Sequence, residues 1–196
     1  MPEPLESGLA PGFLVAAPAL RDPNFAGSLV LMAQHSPEGS LGFVVNRPAP
    51  ISAGDVLRAL DPALRERARA TGRDGHPVLL AGPVQPDRLW VMWKPERVPA
   101  GADALRVTGA LALAGSRDLL EAVVRSGDGP YQLLLGYAGW APMQVEGEVA
   151  AGAWIPLRLH ADLVFDVPFE ERWPEAVRRL GLPPGGFTVS GGGAKA

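Results

Sequence analysis

The stretch FLVAAPALRDPNFAGSLVLMAQHSPEGSLGFVVNRP, residues Phe13 to Pro48, decides the fold. Within it, Ser28 to Gln34 is a nearly unbroken apolar run of strand length, which predicts a strand covered on both faces rather than an amphipathic edge. Ser36-Pro37-Glu38-Gly39-Ser40 then supplies turn formers, with Pro37 presetting φ and Gly39 able to take positive φ. Leu41 to Val45 resumes the apolar course, so a β-hairpin is expected. Upstream, Arg21 to Phe25 interrupts two apolar stretches. Pro23 pushes Asp22 out of helical space, and Asp22 and Asn24 favour local side-chain turns.

Further along, Ser52 to Leu60 reads as a short helix with Ser52 as N-cap and Asp55 in the capping-box region. Asp61 to His76 reads as an exposed helix-like or loop connection. Pro77 to Pro83 and Leu89 to Trp93 are expected as strands around a Pro-rich corner. Leu105 to Leu113 is strand-rich, and Ser116 to Val124 has the cap and apolar spacing of a helix. Tyr131 to Tyr137 is a second buried-strand candidate, ending at Ala138-Gly139-Trp140-Ala141-Pro142, where Pro142 suits the first turn of a helix through Glu148. Ala153 to Pro156 resumes extended structure, and Phe169 to Leu180 is the expected last helix, stopped by Gly181 and Pro183-Pro184. Hairpins are signalled more clearly than βαβ units. The expected fold class is therefore α+β: a single compact domain over residues 12–183, with a largely antiparallel or mixed sheet of β-hairpins flanked by helices. A flexible leader over 1–11 and a disordered Gly-rich tail over 184–196 are expected on either side.

The 196 residues are enough to bury a sizeable core, and the absence of cysteine removes disulfides, thiol catalysis and thiolate metal sites. The formal charge of −3 gives no global attraction to nucleic acid or anionic lipid. Met1 to Glu6 carries no basic region ahead of an apolar one and does not read as a secretion signal. Pro, Gly, Arg or Asp breaks every apolar run well short of a bilayer span. The expectation is a soluble cytoplasmic protein without membrane association.

Several motifs recur in an order that resembles a known family. Asp22-Pro23-x-Phe25 with Ser28 and His35 is followed by Gly39-x-x-Gly42-Phe43-Val44-Val45-Asn46-Arg47-Pro48. Further on come Gly82-Pro83-Val84, Ser116-x-Asp118, Leu135-Gly136-Tyr137-Ala138-Gly139-Trp140, Gln144-Val145-Glu146-x-Glu148, Ala153-Trp154 and Arg172-Trp173. The chain is thus similar to the bacterial YqgE/AlgH family from about Phe13 to Gly181. The resemblance implies an α+β bacterial protein of unestablished molecular activity, sometimes labelled a transcriptional regulator and often encoded near a Holliday-junction resolvase homologue. It implies no catalytic residues. Two positions depart from the family pattern: Ala81-Gly82 stands where a double glycine is usual, and Met143 where glycine is usual. The second implies that position 143 accepts helical geometry and a side chain.

For chemistry, His35, Asn46 and Arg47 stand out as polar residues beside apolar strands. A loop over Ser36 to Ser40 would pair His35 near Leu41 and leave Asn46 roughly 16 Å away, at ~3.3 Å per residue, too far for a dyad. The bland alternative is local bonding at turns. Ser28, Ser36, Ser40 and Ser116 are available as nucleophiles, none in a G-x-S-x-G elbow, and Ser116 reads as a helix cap. His35, His76 and His160 lack metal-ligand spacing, and Glu146 and Glu148 turn to different sides of a helix, so no metal or cofactor is expected. Arg58, Arg65, Arg67, Arg69 and Arg73 are interrupted by Glu66 and flanked by Asp61 and Asp74, as on a solvated face. The five tryptophans read as core residues, with Trp140 placed to line a pocket. The functional expectation is a non-enzymatic binding or regulatory protein with a site at His35, Asn46, Arg47, Tyr137 and Trp140, where Arg47 offers a planar fork to a carboxylate or phosphate of a protein or small-molecule partner. The alternatives are nucleic-acid binding through Arg58 to Arg73, and a hydrolase or other small-molecule enzyme using His35 or Ser116.

Overall fold

The computed structural model describes residues 8–96, 103–127 and 129–182. The expected Gly-rich tail and the first seven residues of the expected leader lie outside the described residues. β1 (Gly12–Ala16) and β2 (Leu29–Ser36) pair antiparallel, and β2 returns through a tight turn into β3 (Gly39–Val44). Side chains on β1 and β2 alternate between two cores. Phe13, Val15, Leu29 and Leu31 face one, Leu14, Ala16, Val30 and Met32 face the other, and all are buried. Burial on both faces at a period of two is why this run is almost purely apolar.

The ladder continues from β3 to β9 (Tyr131–Trp140), then β6 (Val84–Trp93), β8 (Leu111–Ala114) and β7 (Leu105–Thr108), with β10 (Trp154–Arg158) on the far side of β1. β4 (Pro48–Ser52) pairs with β5 (Pro77–Leu80), and β5 lies parallel to β9. The other pairings among the described residues are antiparallel. The result is an α+β fold on a mixed, largely antiparallel ten-stranded sheet that does not close on itself, as the hairpin signals implied.

Helices cover both faces. α1 (Ala53–Leu60), α2 (Pro62–Ala70) and α3 (Arg117–Ser126) bury Leu57, Leu64, Ala68, Leu120, Val123 and Val124 against Val91, Trp93 and Leu133. α4 (Gln144–Ala150) places Val145 in the core with Leu14 and Val30, while α5 (Asp162–Phe165) and α6 (Arg172–Arg179) place Leu163, Val164, Ala176 and Val177 in the core with Phe13 and Phe43. Ser52 caps α1 as expected, its Oγ accepting from the Asp55 amide at 3.2 Å. The Asp61–His76 connection is a formed helix over its first half because Asp61 accepts from the Ala63 amide at 2.9 Å and Pro62 opens the first turn. Ser116 precedes α3, but its hydroxyl makes no cap bond and is buried without a partner among the described residues. Leu9 and Ala10, within the expected leader, pack partly buried against the core that holds Trp140 and Trp154.

Candidate functional site

The hairpin turn decides the site. Ser36 pairs with Gly39, so Pro37 and Glu38 alone form the loop, and His35 lies opposite Ser40 rather than the expected Leu41. A bulge at Ala33, between the Met32 and Gln34 pairings, precedes it. Gly39 makes this tight return possible: its φ is +136°, and a Cβ there would sit 2.6 Å from the Trp140 carbonyl oxygen.

Directly opposed residues of an antiparallel pair hold their Cβ atoms about 5 Å apart on one face. Here His35 Nδ1 lies 2.8 Å from Ser40 Oγ. The other ring nitrogen, Nε2, lies 3.6 Å from Oε1 of Glu146 in the first turn of α4. Hydroxyl, imidazole and carboxylate therefore stand in line. Ser40 pairs with Trp140 on its other flank, and Ser40, His35 and Trp140 line an open cleft of about 690 Å³ completed by Pro11 and by Arg106 of β7, with Glu146 behind the imidazole and outside the lining.

α4 also fixes the wall of the cleft. Glu148 Oε2 accepts from the indole Nε1 of Trp140 at 3.0 Å and of Trp154 at 2.8 Å, and its Oε1 accepts from Gln144 Nε2 at 2.9 Å. Glu146 and Glu148 thus diverge as their spacing predicted, one to the histidine and one to the indoles. Phe25 stacks on Trp140 with ring centroids 6.0 Å apart and meets Trp154 edge-on at 5.4 Å. Ser36 serves the turn, accepting from the Glu38 amide at 3.3 Å, and its hydroxyl holds the Glu38 carboxyl below the ordinary range.

The remaining expected residues sit elsewhere. Asn46 Oδ1 accepts from the Leu29 amide at 2.8 Å and its Nδ2 donates to the Gly27 carbonyl at 2.9 Å. Leu29 is six residues from His35 along β2, roughly 20 Å at ~3.3 Å per residue, so the predicted separation of His35 from Asn46 holds. Arg47 donates Nη1 to the carbonyls of Asn24 at 2.6 Å and Pro23 at 3.2 Å, and Nη2 to that of Ala26 at 3.3 Å. The pair fastens the Asp22–Ser28 loop by its backbone, and the guanidinium fork expected to meet an anion is turned onto carbonyls. Tyr137 packs edge-on against Trp90, centroids 6.3 Å apart, beside the Phe13 core. His35 and Trp140 share the cleft, whereas Asn46, Arg47 and Tyr137 do not line it.

Sequence reasoning did not join Ser40 and Glu146 to His35. The signal was Gly39, whose positive φ permits a two-residue loop and shifts Ser40 into register. The serine in contact with a histidine is Ser40, not Ser116. Among the described residues no group of three His, Asp or Glu side chains gathers as metal ligands would. In the arginine-rich segment, Arg67 donates to the carbonyls of Arg125 and Ser126 at 3.0 and 2.9 Å, which ends α3. Arg69 pairs with Glu66 and Asp74, and Arg73 lies over the Tyr131 ring.

A family model described as AlgH-like (DUF179) matches residues 13–185. The chain belongs to the AlgH-like family. It is 66% identical to a UPF0301 protein of Anaeromyxobacter sp. (strain Fw109-5), over all of both chains. It is 39% identical to a UPF0301 protein of Bordetella petrii, over 94% of this chain and 88% of that one. The solution structure of the AlgH protein from Pseudomonas aeruginosa is similar at a TM-score of 0.73 and 33% identity, covering 93% of this chain and 94% of that one. Protein DIP2367 of Corynebacterium diphtheriae shares the fold, with a TM-score of 0.69 and 20% identity over 89% and 88% of the two chains. No described helix is long and apolar enough to cross a membrane.

Both departures from the AlgH-like pattern have a structural meaning. At Ala81-Gly82 the close approach falls on Gly82: φ is +153°, and a Cβ would lie 2.2 Å from the Tyr137 carbonyl, so alanine at position 81 is compatible with the contact. Met143 is not in helical geometry. It precedes α4 in the left-handed region, with φ +62° and ψ +2°, which corrects the expectation of a helix opening at Pro142 and gives the usual glycine its physical reason.

Proposed function

We propose that this AlgH-like protein is a non-enzymatic cytoplasmic binding protein that takes a small polar molecule in the His35 cleft and exerts a regulatory role through it. One observation carries the reading: Ser40 and His35, 2.8 Å apart, line an open cleft walled by Trp140, and Glu146 stands 3.6 Å behind the imidazole, outside the lining. A ligand with both donor and acceptor groups suits that pair, and the indole offers an apolar face. Recognition is favoured over acyl transfer by the place of Ser40 in the sheet. It lies within the ladder, opposite His35 on β2 and Trp140 on β9, and not on a sharp strand-to-helix turn that would present backbone amides to a developing oxyanion.

The test is ligand-observed NMR with a metabolite mixture, using the native chain and a folded His35→Ala/Ser40→Ala variant. Compounds that bind the native chain and are lost from the variant support the cleft as the site; an unchanged set of binders refutes it. The Oγ to Nδ1 contact motivates a second reading, a serine hydrolase with Ser40 as nucleophile and His35 as base. A fluorophosphonate probe that labels the native chain and not Ser40→Ala would replace the binding reading with this one.

A further inference from the structure

Tyr131 opens β9 and Trp140 ends it, so the two ends of this strand lie roughly 30 Å apart at ~3.3 Å per residue. At the Tyr131 end, remote from the His35 cleft, is a second cavity of about 270 Å³ lined by Arg73, His76, Tyr131, Phe165, Phe169 and Arg172. Arg172 is only 5% exposed. Its Nε donates to the Val167 carbonyl at 2.9 Å and its Nη1 to the Val45 carbonyl, and no carboxylate pairs with it among the described residues. Burial pulls its guanidinium down to about 10, so it remains charged at neutral pH. Two carbonyls satisfy hydrogen bonds without neutralising that charge; the exposed Glu170 favours it from a distance but forms no ion pair with it among the described residues, so a directly bonded counter-charge is missing.

Other features of the cavity point the same way. Arg73 lies with its guanidinium carbon 5.3 Å from the Tyr131 ring centroid, and among the described residues its side chain meets this ring and pairs with no acid. The Tyr131 hydroxyl is buried without a hydrogen-bond partner among the described residues. Lys94 adds positive charge, its Nζ 5.4 Å from the Phe165 ring centroid. Among the lining side chains, Asp166 is the one carboxylate, set against two arginines, while burial and the neighbouring Arg73 hold His76 below its ordinary value and favour its neutral form.

We propose that this cavity binds a small organic anion: a carboxylate drawn to Arg172 and Arg73, carried on an apolar body that rests against Phe165 and Phe169. The Nη2 of Arg172, which donates to no carbonyl among the described residues, and the guanidinium of Arg73 are left to meet a carboxylate, the aromatic walls suit an apolar body, and Asp166 disfavours a doubly charged headgroup.

The probes are benzoate, benzamide as its neutral counterpart, and phenyl phosphate as a dianion, titrated into the native chain by calorimetry. Benzoate is expected to saturate one site and to bind better than either other probe. Its affinity should fall about tenfold in Arg73→Gln, equal to ~1.4 kcal/mol. Arg172→Lys, which keeps the charge and loses the fork, should weaken it at least as much where the variant folds. Arg73 is partly exposed, so the Arg73→Gln arm stands even where the Arg172 variant does not fold. Equal binding of benzamide, tighter binding of phenyl phosphate, no benzoate binding at millimolar concentration, or unchanged affinity in Arg73→Gln would each overturn the proposal.

Discussion

Met143 offers a test in which the usual order of two substitutions inverts. In ordinary backbone, replacing alanine by glycine destabilises by about 0.5–1 kcal/mol, because glycine has more conformational freedom to lose. At φ +62° the balance changes. A side chain bearing Cβ pays roughly 1–2 kcal/mol in the left-handed region, whereas glycine's greater freedom in the unfolded chain costs ~0.4–1 kcal/mol. Met143→Ala and Met143→Gly lose the same thioether contacts, which are modest because the residue is 68% exposed. Their difference therefore isolates the backbone. The Met143→Gly variant should be more stable than Met143→Ala by about 0.5–1 kcal/mol, or roughly 1–4 °C in Tm for a chain of this size. Urea unfolding followed by tryptophan fluorescence measures it, provided both variants unfold with the same denaturant slope. Gly147, inside α4 with open space where a Cβ would project, is the internal control. There alanine should win by ~1 kcal/mol. If Met143→Ala equals or exceeds Met143→Gly while Gly147→Ala behaves as stated, the left-handed strain at position 143 is refuted.

Two other outcomes are expected. Glu148→Ala removes the acceptor of two part-buried indole N–H groups; at about 1–3 kcal/mol for each unsatisfied donor the loss should be at most roughly 2–6 kcal/mol. Glu148→Gln, which keeps an oxygen there, should lose much less, and equal urea midpoints for the two variants would contradict the shared-acceptor account. Arg179 bonds Asp162 at 2.6 and 3.0 Å and Glu175 at 2.7 Å, and these contacts hold both carboxyls below their ordinary values of 3.8 and 4.5. Carboxyls depressed on folding contribute stability that is present above those ordinary values and lost as pH falls through the folded ones. The stability gap between the native chain and Arg179→Met should therefore shrink below about pH 4, and a gap that stays constant into acid would refute the linkage.

The fold was legible where residues announce both faces of an element. Leu29 to Met32 has no polar residue because β2 is covered on each side, and Ser52 with Asp55 marks the start of α1. Long-range pairing was not legible. Nothing local to Ser40 says that Glu146, about a hundred residues away, will stand beyond the imidazole. The short loop was readable in principle, since Gly39 is the residue that admits positive φ, yet Pro37-Glu38-Gly39 also suits a longer loop, and that difference moved Ser40 into line with His35. Arg172 shows the opposite limit, because an arginine beside Glu171 and Glu175 reads as surface in sequence and its burial appears only once α6 is packed on the sheet.

Asn46 and Arg47 grip main-chain groups that every residue carries, so the path of the Asp22–Ser28 loop is indifferent to most of its lettering. Asp22, whose carboxylate accepts from the Asn24 amide, and Phe25 are exceptions, and the Phe25 ring is the strut between that loop and the indoles of Trp140 and Trp154. Loosening Arg47 would release the strut and tilt a wall of the His35 cleft from a distance. Binding lost in an Arg47 variant is thus the signature of a displaced wall, and the Phe25→Leu variant, which leaves the clamp intact and removes the strut, should reproduce it.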